Sequence, residues 1–315
     1  MNSVKLIICW AVLVVSTCAL FASDVSAPLS PTNRVIQLFN GKDLSGFYTW
    51  LVDTKREDPR RVFTVTNGMI HVSGDGLGYL STEREYQNYR LSVEFKWGER
   101  NWTWGDRIGK TRDSGIFLHS IGPDGNSHDG QGAFKAAIEC QIMQGAVGDL
   151  LLIRGTNFDG SLIAPKLTVP VGLVRTNPTC EPIIVDGKTR GYAMTAGKYE
   201  PLRDVGGWPY WSPGGKRLVL ERWGRVNWQH KDPDWKDVLD RRNQLDIDNA
   251  LWGEWTRVEC LCDEGRIQIR VNGKLVNEAL DVYPRCGKIL LQCEGSEIYF
   301  RRLELHPLPR AAHRR

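Results

Sequence analysis

The sequence has little charge of one sign, few methionines, no long apolar run and no recurring helical pattern. Each shortage excludes something. Against 37 Asp and Glu stand 41 Lys and Arg, a net charge of +4. Part of that excess sits at Arg310, Arg314 and Arg315, so a nucleic-acid partner has no support. The one extended apolar run, residues 6–21, is 16 residues long, short of the ~20 a membrane-crossing helix needs. Hydrophobic residues at 41% and charged residues at 25% are ordinary globular values, which excludes a disordered, collagen-like or coiled-coil chain. No internal repeat is visible, and 315 residues fit one large domain or two. What is abundant is glycine, 32, and tryptophan, 12, against only 4 methionines. That balance points to a β-rich, turn-rich protein with aromatic surfaces.

Lys5 followed by the apolar run reads as a secretory signal peptide over residues 1–22, cleaved near Ala22 or Ser23. An exported, periplasmic or extracellular protein with no membrane span after cleavage is expected. Val15-Ser16-Thr17-Cys18 faintly resembles a lipoprotein box, but Thr17 is bulky for its place, so a lipid anchor at Cys18 is the lesser alternative beside an uncleaved N-terminal anchor. Removing the signal leaves six cysteines, Cys140, Cys180, Cys260, Cys262, Cys286 and Cys293. An even count in an exported chain permits disulfides, with fifteen full pairings open. Cys260 and Cys262 lie two apart in a strand-like run and share a face, so neither easily bridges the other. Buried free thiols are the alternative for Cys140 and Cys262, and a zinc site lacks ligand spacing.

Residues 23–34 read as a flexible leader, 35–307 as one folded domain and 308–315 as a basic tail. Asn67-Gly68 and Asn272-Gly273 mark tight hairpins. Residues 89–97 alternate, with Leu91, Val93, Phe95 and Trp97 on one face. Further strands are expected over 114–120, 136–144, 255–261, 265–271, 274–277, 288–293 and 298–305. Many short strands with tight turns predict an all-β sandwich or jelly roll. Residues 155–250, rich in Pro and Trp, read as a long insertion of loops and short hairpins, with a short helix at 234–243.

Several segments resemble a known family in order. Phe39-Asn40-Gly41-Lys42-Asp43-Leu44-Ser45-Gly46-Phe47 is similar to the opening motif of the 3-keto-disaccharide hydrolase domain family. Val65-Thr66-Asn67-Gly68-Met69-Ile70, Gly78-Tyr79-Leu80-Ser81-Thr82, Asp113-Ser114-Gly115-Ile116-Phe117-Leu118, Ile138-Glu139-Cys140-Gln141-Ile142 and Val271-Asn272-Gly273-Lys274-Leu275-Val276 continue the likeness. The resemblance implies a concanavalin-like β-sandwich of two curved antiparallel sheets and a substrate whose hexosyl C3 hydroxyl has been oxidised to a ketone. Asp113 stands where the family has Asn, His119 where it often has Arg, and Cys140 where it has a small apolar residue, so substrate contacts differ.

Alternation puts Glu139 and Gln141 on one strand face, and Asp113, Gly115, Phe117 and His119 on one face of the preceding strand. Gln292 and Glu294 share a face further on. Asp113, Gln141, Gln292 and Glu294 are expected substrate contacts, with Trp208 and Trp211 as stacking surfaces for sugar rings. A C3 ketone acidifies C2–H and lets the C1 substituent leave by elimination, so the site needs a base, an acid and an oxyanion partner. Glu139 and His119 are the expected acid–base pair. Arg301, or a divalent metal ion held by Glu139 and His119, is the expected oxyanion partner; no other cofactor is assigned. Ordinary acid–base glycoside hydrolysis by Glu139 and Glu294 is the alternative chemistry. A non-catalytic, lectin-like carbohydrate-binding module is the competing class, because such sandwiches host lectins and enzymes alike.

Overall fold

Two Asn-Gly dipeptides set the first registers. Asn67-Gly68 joins strand Phe63–Thr66 to Met69–Val72, and Asn272-Gly273 joins Arg266–Val271 to Lys274–Tyr283. All four turn residues have positive φ, 49° and 73° in the first pair, 47° and 82° in the second. This is the left-handed pair that matches the twist of a two-residue hairpin. The computed structural model describes residues 27–175, 179–185, 187–195, 198–242, 245–249 and 253–308. The signal segment 1–22, Cys18 and residues 309–315 of the tail lie outside them.

The hairpins assemble into two antiparallel sheets of ten and seven strands, a concanavalin-like β-sandwich. The seven-stranded sheet carries the chemistry. Its order is Gly224–Val226, Leu150–Ile153, Ala137–Met143, Asp113–Ser120, Lys288–Glu294, Leu77–Thr82, Phe47–Leu51. Ile116, Leu118, Ile138, Cys140, Ile142, Leu291 and Cys293 point inward and pack on Leu91, Val93, Phe95, Cys260 and Ile269 of the ten-stranded sheet. Each such side chain, fully buried, is worth about 1.5–3 kcal/mol. The outer face of the seven-stranded sheet holds a second apolar cluster, Tyr79, Phe117, Phe134, Ala137, Ile153 and Leu290. Strands Asp113–Ser120 and Ala137–Met143 are therefore buried along their whole length. Polar side chains on that outer face sit under a roof of loops, not in open water.

The roof comes partly from residues 155–250, which are more than loops. Lys166–Val171 and Lys216–Glu221 extend the edge of the ten-stranded sheet, and Gly224–Val226 adds the edge strand of the seven-stranded one. The short helix expected at 234–243 does not form over 234–242, which run through turns and irregular backbone. Trp235 donates to Gln144 O, Asp237 accepts from Thr111, and Asp240 accepts from Gln144. These three anchors pull the segment flat, and an isolated helix of this length is too weak to resist. Leu29, within the stretch read as a leader, is hydrogen-bonded to Glu85 and Gln87. Cys140, Cys260, Cys262, Cys286 and Cys293 are free thiols, so the disulfides considered for them do not form. Four of the five are buried, on strands whose apolar faces need small side chains, and burial pushes Cys262 and Cys293 up to about 12.

Candidate active site

Gly115 is the hollow around which the site is built. It lies opposite Gln141 on one neighbouring strand, and the Leu291–Ile116 pairing carried one step further places Gln292 opposite it on the other. A Cβ at Gly115 would collide with Glu139 Oε1 and stand 3.0 Å from Gln292 Oε1. The missing side chain thus makes room for a carboxyl and an amide to lean over the same spot. Asp113 and Glu294 flank them one step along the two strands. Gln141 Nε2 donates to Asp113 Oδ1 at 2.9 Å and Gln292 Nε2 donates to Glu294 Oε2 at 2.7 Å. With both amide nitrogens committed, Gln141 Oε1, Gln292 Oε1 and Glu139 Oε1 are buried without a hydrogen-bond partner.

Three carboxyls in one roofed hollow cannot all be charged. Burial, and then the neighbouring Asp113, raises Glu139 well above the ordinary range. Burial followed by repulsion from Glu294 does the same to Asp113. Glu294, also partly exposed, is raised to about 7, by burial first and the neighbouring Glu139 carboxyl second. Two cations approach the group. Arg107 Nη2 lies 3.6 Å from Asp113 Oδ2, its guanidinium fixed by Asp237 and set 5.3 Å from the Trp102 ring. Arg225, on the edge strand, is paired with buried Asp149 at 2.7 Å. At neutral pH the hollow therefore holds carboxylic acids beside a carboxyl that titrates near 7.

Asp113, Glu139, Gln141, Gln292 and Glu294 lie together because the three strands that carry them are neighbours in one sheet. The four other expected residues do not join them. His119 sits at a bulge, with φ of 55° and a shifted register between Lys288 and Leu290. That irregularity turns its ring into the inter-sheet core, edge-on to Tyr89 at 5.7 Å, with Nδ1 3.0 Å from Pro284 O. Burial lowers its pKa to about 4, so the imidazole is neutral and Nδ1–H is the donor. His119 and Glu139 therefore do not fit a shared metal ion, and among the described residues no group of three or more His, Cys, Asp or Glu is arranged to hold one. Arg301 lies on the outer face of the other sheet, bonded to Glu94 Oε2 at 2.7 Å and stacked 4.0 Å from the Trp255 ring. Trp211 is core, 2% exposed. Trp208 lines a cavity beside Arg225.

Arg107, Arg225 and Asp237, which approach or brace the carboxyls, are not revealed by strand periodicity, since Arg107 ends a three-residue 3-10 helix, Asp237 lies in irregular backbone and Arg225 in a three-residue edge strand. The alternation of Gly224 and Val226 about Arg225 is the one local hint.

Comparisons with known proteins bear on the whole chain. A protein from Parabacteroides distasonis, provisionally described as a glycosyl hydrolase, superposes with a TM-score of 0.43 at 15% identity, covering 87% of this chain and 94% of its own. A second such protein from the same organism gives a TM-score of 0.41 at 16% identity, covering 88% and 100%. LamAcat from Zobellia galactanivorans gives 0.36 at 8% identity, covering 87% and 95%. No curated protein matches the chain. Residues 34–306 match the 3-keto-alpha-glucoside-1,2-lyase-like domain, and the chain belongs to that family.

Proposed function

We propose that this protein is an exported enzyme that cleaves the glycosidic bond of 3-keto-glycosides by elimination followed by hydration. Family membership makes the chain carbohydrate-active. The observation that carries the finer reading is the hollow over Gly115, where Glu139, Asp113 and Glu294 share too little charge to be three carboxylates. Glu294, ionised near neutral pH and reachable from solvent, is the base. It takes the proton from C2, and the C–H electron pair becomes the C2–C3 double bond while the C3 carbonyl oxygen gains the negative charge. Arg107 is the cation that meets this oxyanion. The pair then returns, C1–C2 becomes double, and the C1–O bond breaks. Glu139, held protonated, gives its proton to the departing oxygen. Water adding across C1–C2 completes a net hydrolysis. The unpartnered oxygens of Gln141 and Gln292 are acceptors for sugar hydroxyls, which removes the cost of burying them alone.

The test is release of a chromogenic aglycone from a 3-keto-glucoside and from its unoxidised parent, by the signal-free protein and by Glu139→Gln and Glu294→Gln. Release from the keto substrate alone, lost in both variants, is expected. Release from both substrates would mean ordinary glycoside hydrolysis. Binding without release, kept in both variants, would mean a lectin-like module.

A further inference from the structure

Beside the carboxyl hollow lies a cavity of about 180 Å³, lined by Asp204, Trp208, Arg225, Lys231 and Trp235 among others. At ~30 Å³ per water that is room for about six waters, the space of one pyranose ring and too little for an oligosaccharide. Its walls are built, not incidental. Asp149, fully buried, binds Arg225 Nε at 2.7 Å and Lys231 Nζ at 3.2 Å. Lys231 Nζ also donates to Asn227 Oδ1 at 2.8 Å, and Asn227 Nδ2 donates to Asp204 Oδ2 at 2.9 Å. Asp204 Oδ1 closes the chain by accepting from Trp208 N at 2.8 Å. Four of these five polar residues lie in the insertion, and together they fix a charged, hydrogen-bonding wall. Trp235 is clamped from the other side, its Nε1 on Gln144 O at 3.0 Å and its ring over Gly145.

Arg225 joins this cavity to the carboxyls. It pairs with Leu151, and Leu151 pairs with Glu139, so two strand spacings of ~4.8 Å separate the backbones, and the Arg225 charge acts on both Glu139 and Asp113.

We infer that this cavity is the subsite for the leaving-group sugar, a single neutral pyranose stacked on Trp208 and held through its hydroxyls by the Asp204–Lys231–Arg225 wall. The assignment rests on the reading above that the ketone-bearing ring lies over Gly115. Aromatic rings pack on the C–H faces of a pyranose, and fixed charges at the rim bond its hydroxyls. Selectivity for the second ring is then supplied by the insertion.

Calorimetric titration with D-glucose, and with the acyclic polyol sorbitol as a control lacking a ring face, tests the subsite without any turnover. Saturable glucose binding is expected for the wild type and for Glu139→Gln, weakened about tenfold in Trp208→Ala and largely kept in Trp208→Phe, with sorbitol binding far weaker. In turnover, Trp208→Ala should lower kcat/KM about tenfold for a 3-keto-disaccharide and leave methyl 3-keto-glucoside unchanged. No saturable glucose binding by the wild type, binding indifferent to Trp208, or equal losses on the two keto substrates would each overturn the assignment. If no keto substrate is cleaved while glucose binding still depends on Trp208, the proposed reaction falls and the cavity stands as a sugar site.

Discussion

A single absent methyl group organises the site. Gly115 has ordinary extended backbone, so alanine there would bring no backbone strain, and the nearest atoms its Cβ would meet belong to the side chains of Glu139 and Gln292. Gly115→Ala should therefore fold and bury its strand as before while driving the Glu139 carboxyl off its position. A displacement of about 1 Å in a catalytic group can cost about 100-fold in rate. We expect a loss of that order in kcat for Gly115→Ala, with little change in Tm, read by steady-state kinetics on a 3-keto-glucoside beside thermal melting. Equal activity in the variant would show that Glu139 does not act from the hollow. The same residue-scale reasoning separates Arg301 from Arg107. Arg301→Ala leaves Glu94 with Arg257 and Arg302, far from the carboxyls, and should leave kcat/KM unchanged.

At the scale of strands and loops, one bulge and one strap decide which side chains reach the site. His119 would share the face of Glu139 on an unbroken strand; the bulge, with φ of 55°, sends it into the core instead. His119→Asn keeps a residue that tolerates that φ but loses the ring packing and weakens the bond to Pro284. It should cost about 1–3 kcal/mol of stability with kcat unaltered, measured by denaturant unfolding and kinetics on the same samples; a collapse of kcat at unchanged stability would restore His119 as a catalytic group. The strap is the segment carrying Trp235, Asp237 and Asp240. Asp237 ties Arg107 to Thr111, and Asp237→Ala should free the guanidinium and lower kcat about tenfold while KM changes little. The two cases also mark the limits of legibility. Period-two alternation was enough to group Glu139 with Gln141, Asp113 with Gly115 and Gln292 with Glu294, each pair on its own strand; that the three strands adjoin and present these groups together came from the pairing. Alternation failed at His119, since a single left-handed residue resets the period and nothing in the local sequence announces it. It was silent on Arg107, Arg225 and Asp237, which are held by tertiary contacts, Arg225 on Asp149 across 76 residues and Arg107 on Asp237 across 130. Arg301 follows its own strand's alternation correctly, but which sheet face that meant required knowing that its strand pairs with the one bearing Glu94.

For the whole molecule, the hollow links protonation, stability and turnover. A carboxyl with a folded-state pKa above its unfolded value holds its proton more tightly when folded. Glu294 therefore contributes fully below its ordinary value of 4.5, and the contribution is lost as pH rises to about 7; Asp113 and Glu139, raised further, extend the loss in the same direction. His119 acts oppositely. Lowered from 6.5 to about 4, it resists protonation when folded, so its contribution is complete above 6.5 and lost as pH falls towards 4. Carboxylates held below their ordinary values by hydrogen bonds or ion pairs, Asp53 and Glu297 among them, add to that acid-side loss at still lower pH. Three raised carboxyls against one histidine give a net decline on the neutral side. Tm should peak near pH 5 and fall towards pH 8. Activity must run the other way over the same interval, because the base is competent only when Glu294 is ionised, so kcat/KM should rise through about pH 7. The conditions that arm the site are those that strain the fold. Melting curves and kcat/KM profiles between pH 4 and 8 test this on wild type and Glu294→Gln. The variant should lose activity and flatten the neutral-side decline in Tm, exposing the His119 slope below pH 6.5. If Glu294→Gln leaves the Tm profile unchanged, the carboxyls do not share their protons in the folded state, and the pairing of acid and base in the hollow is lost with it.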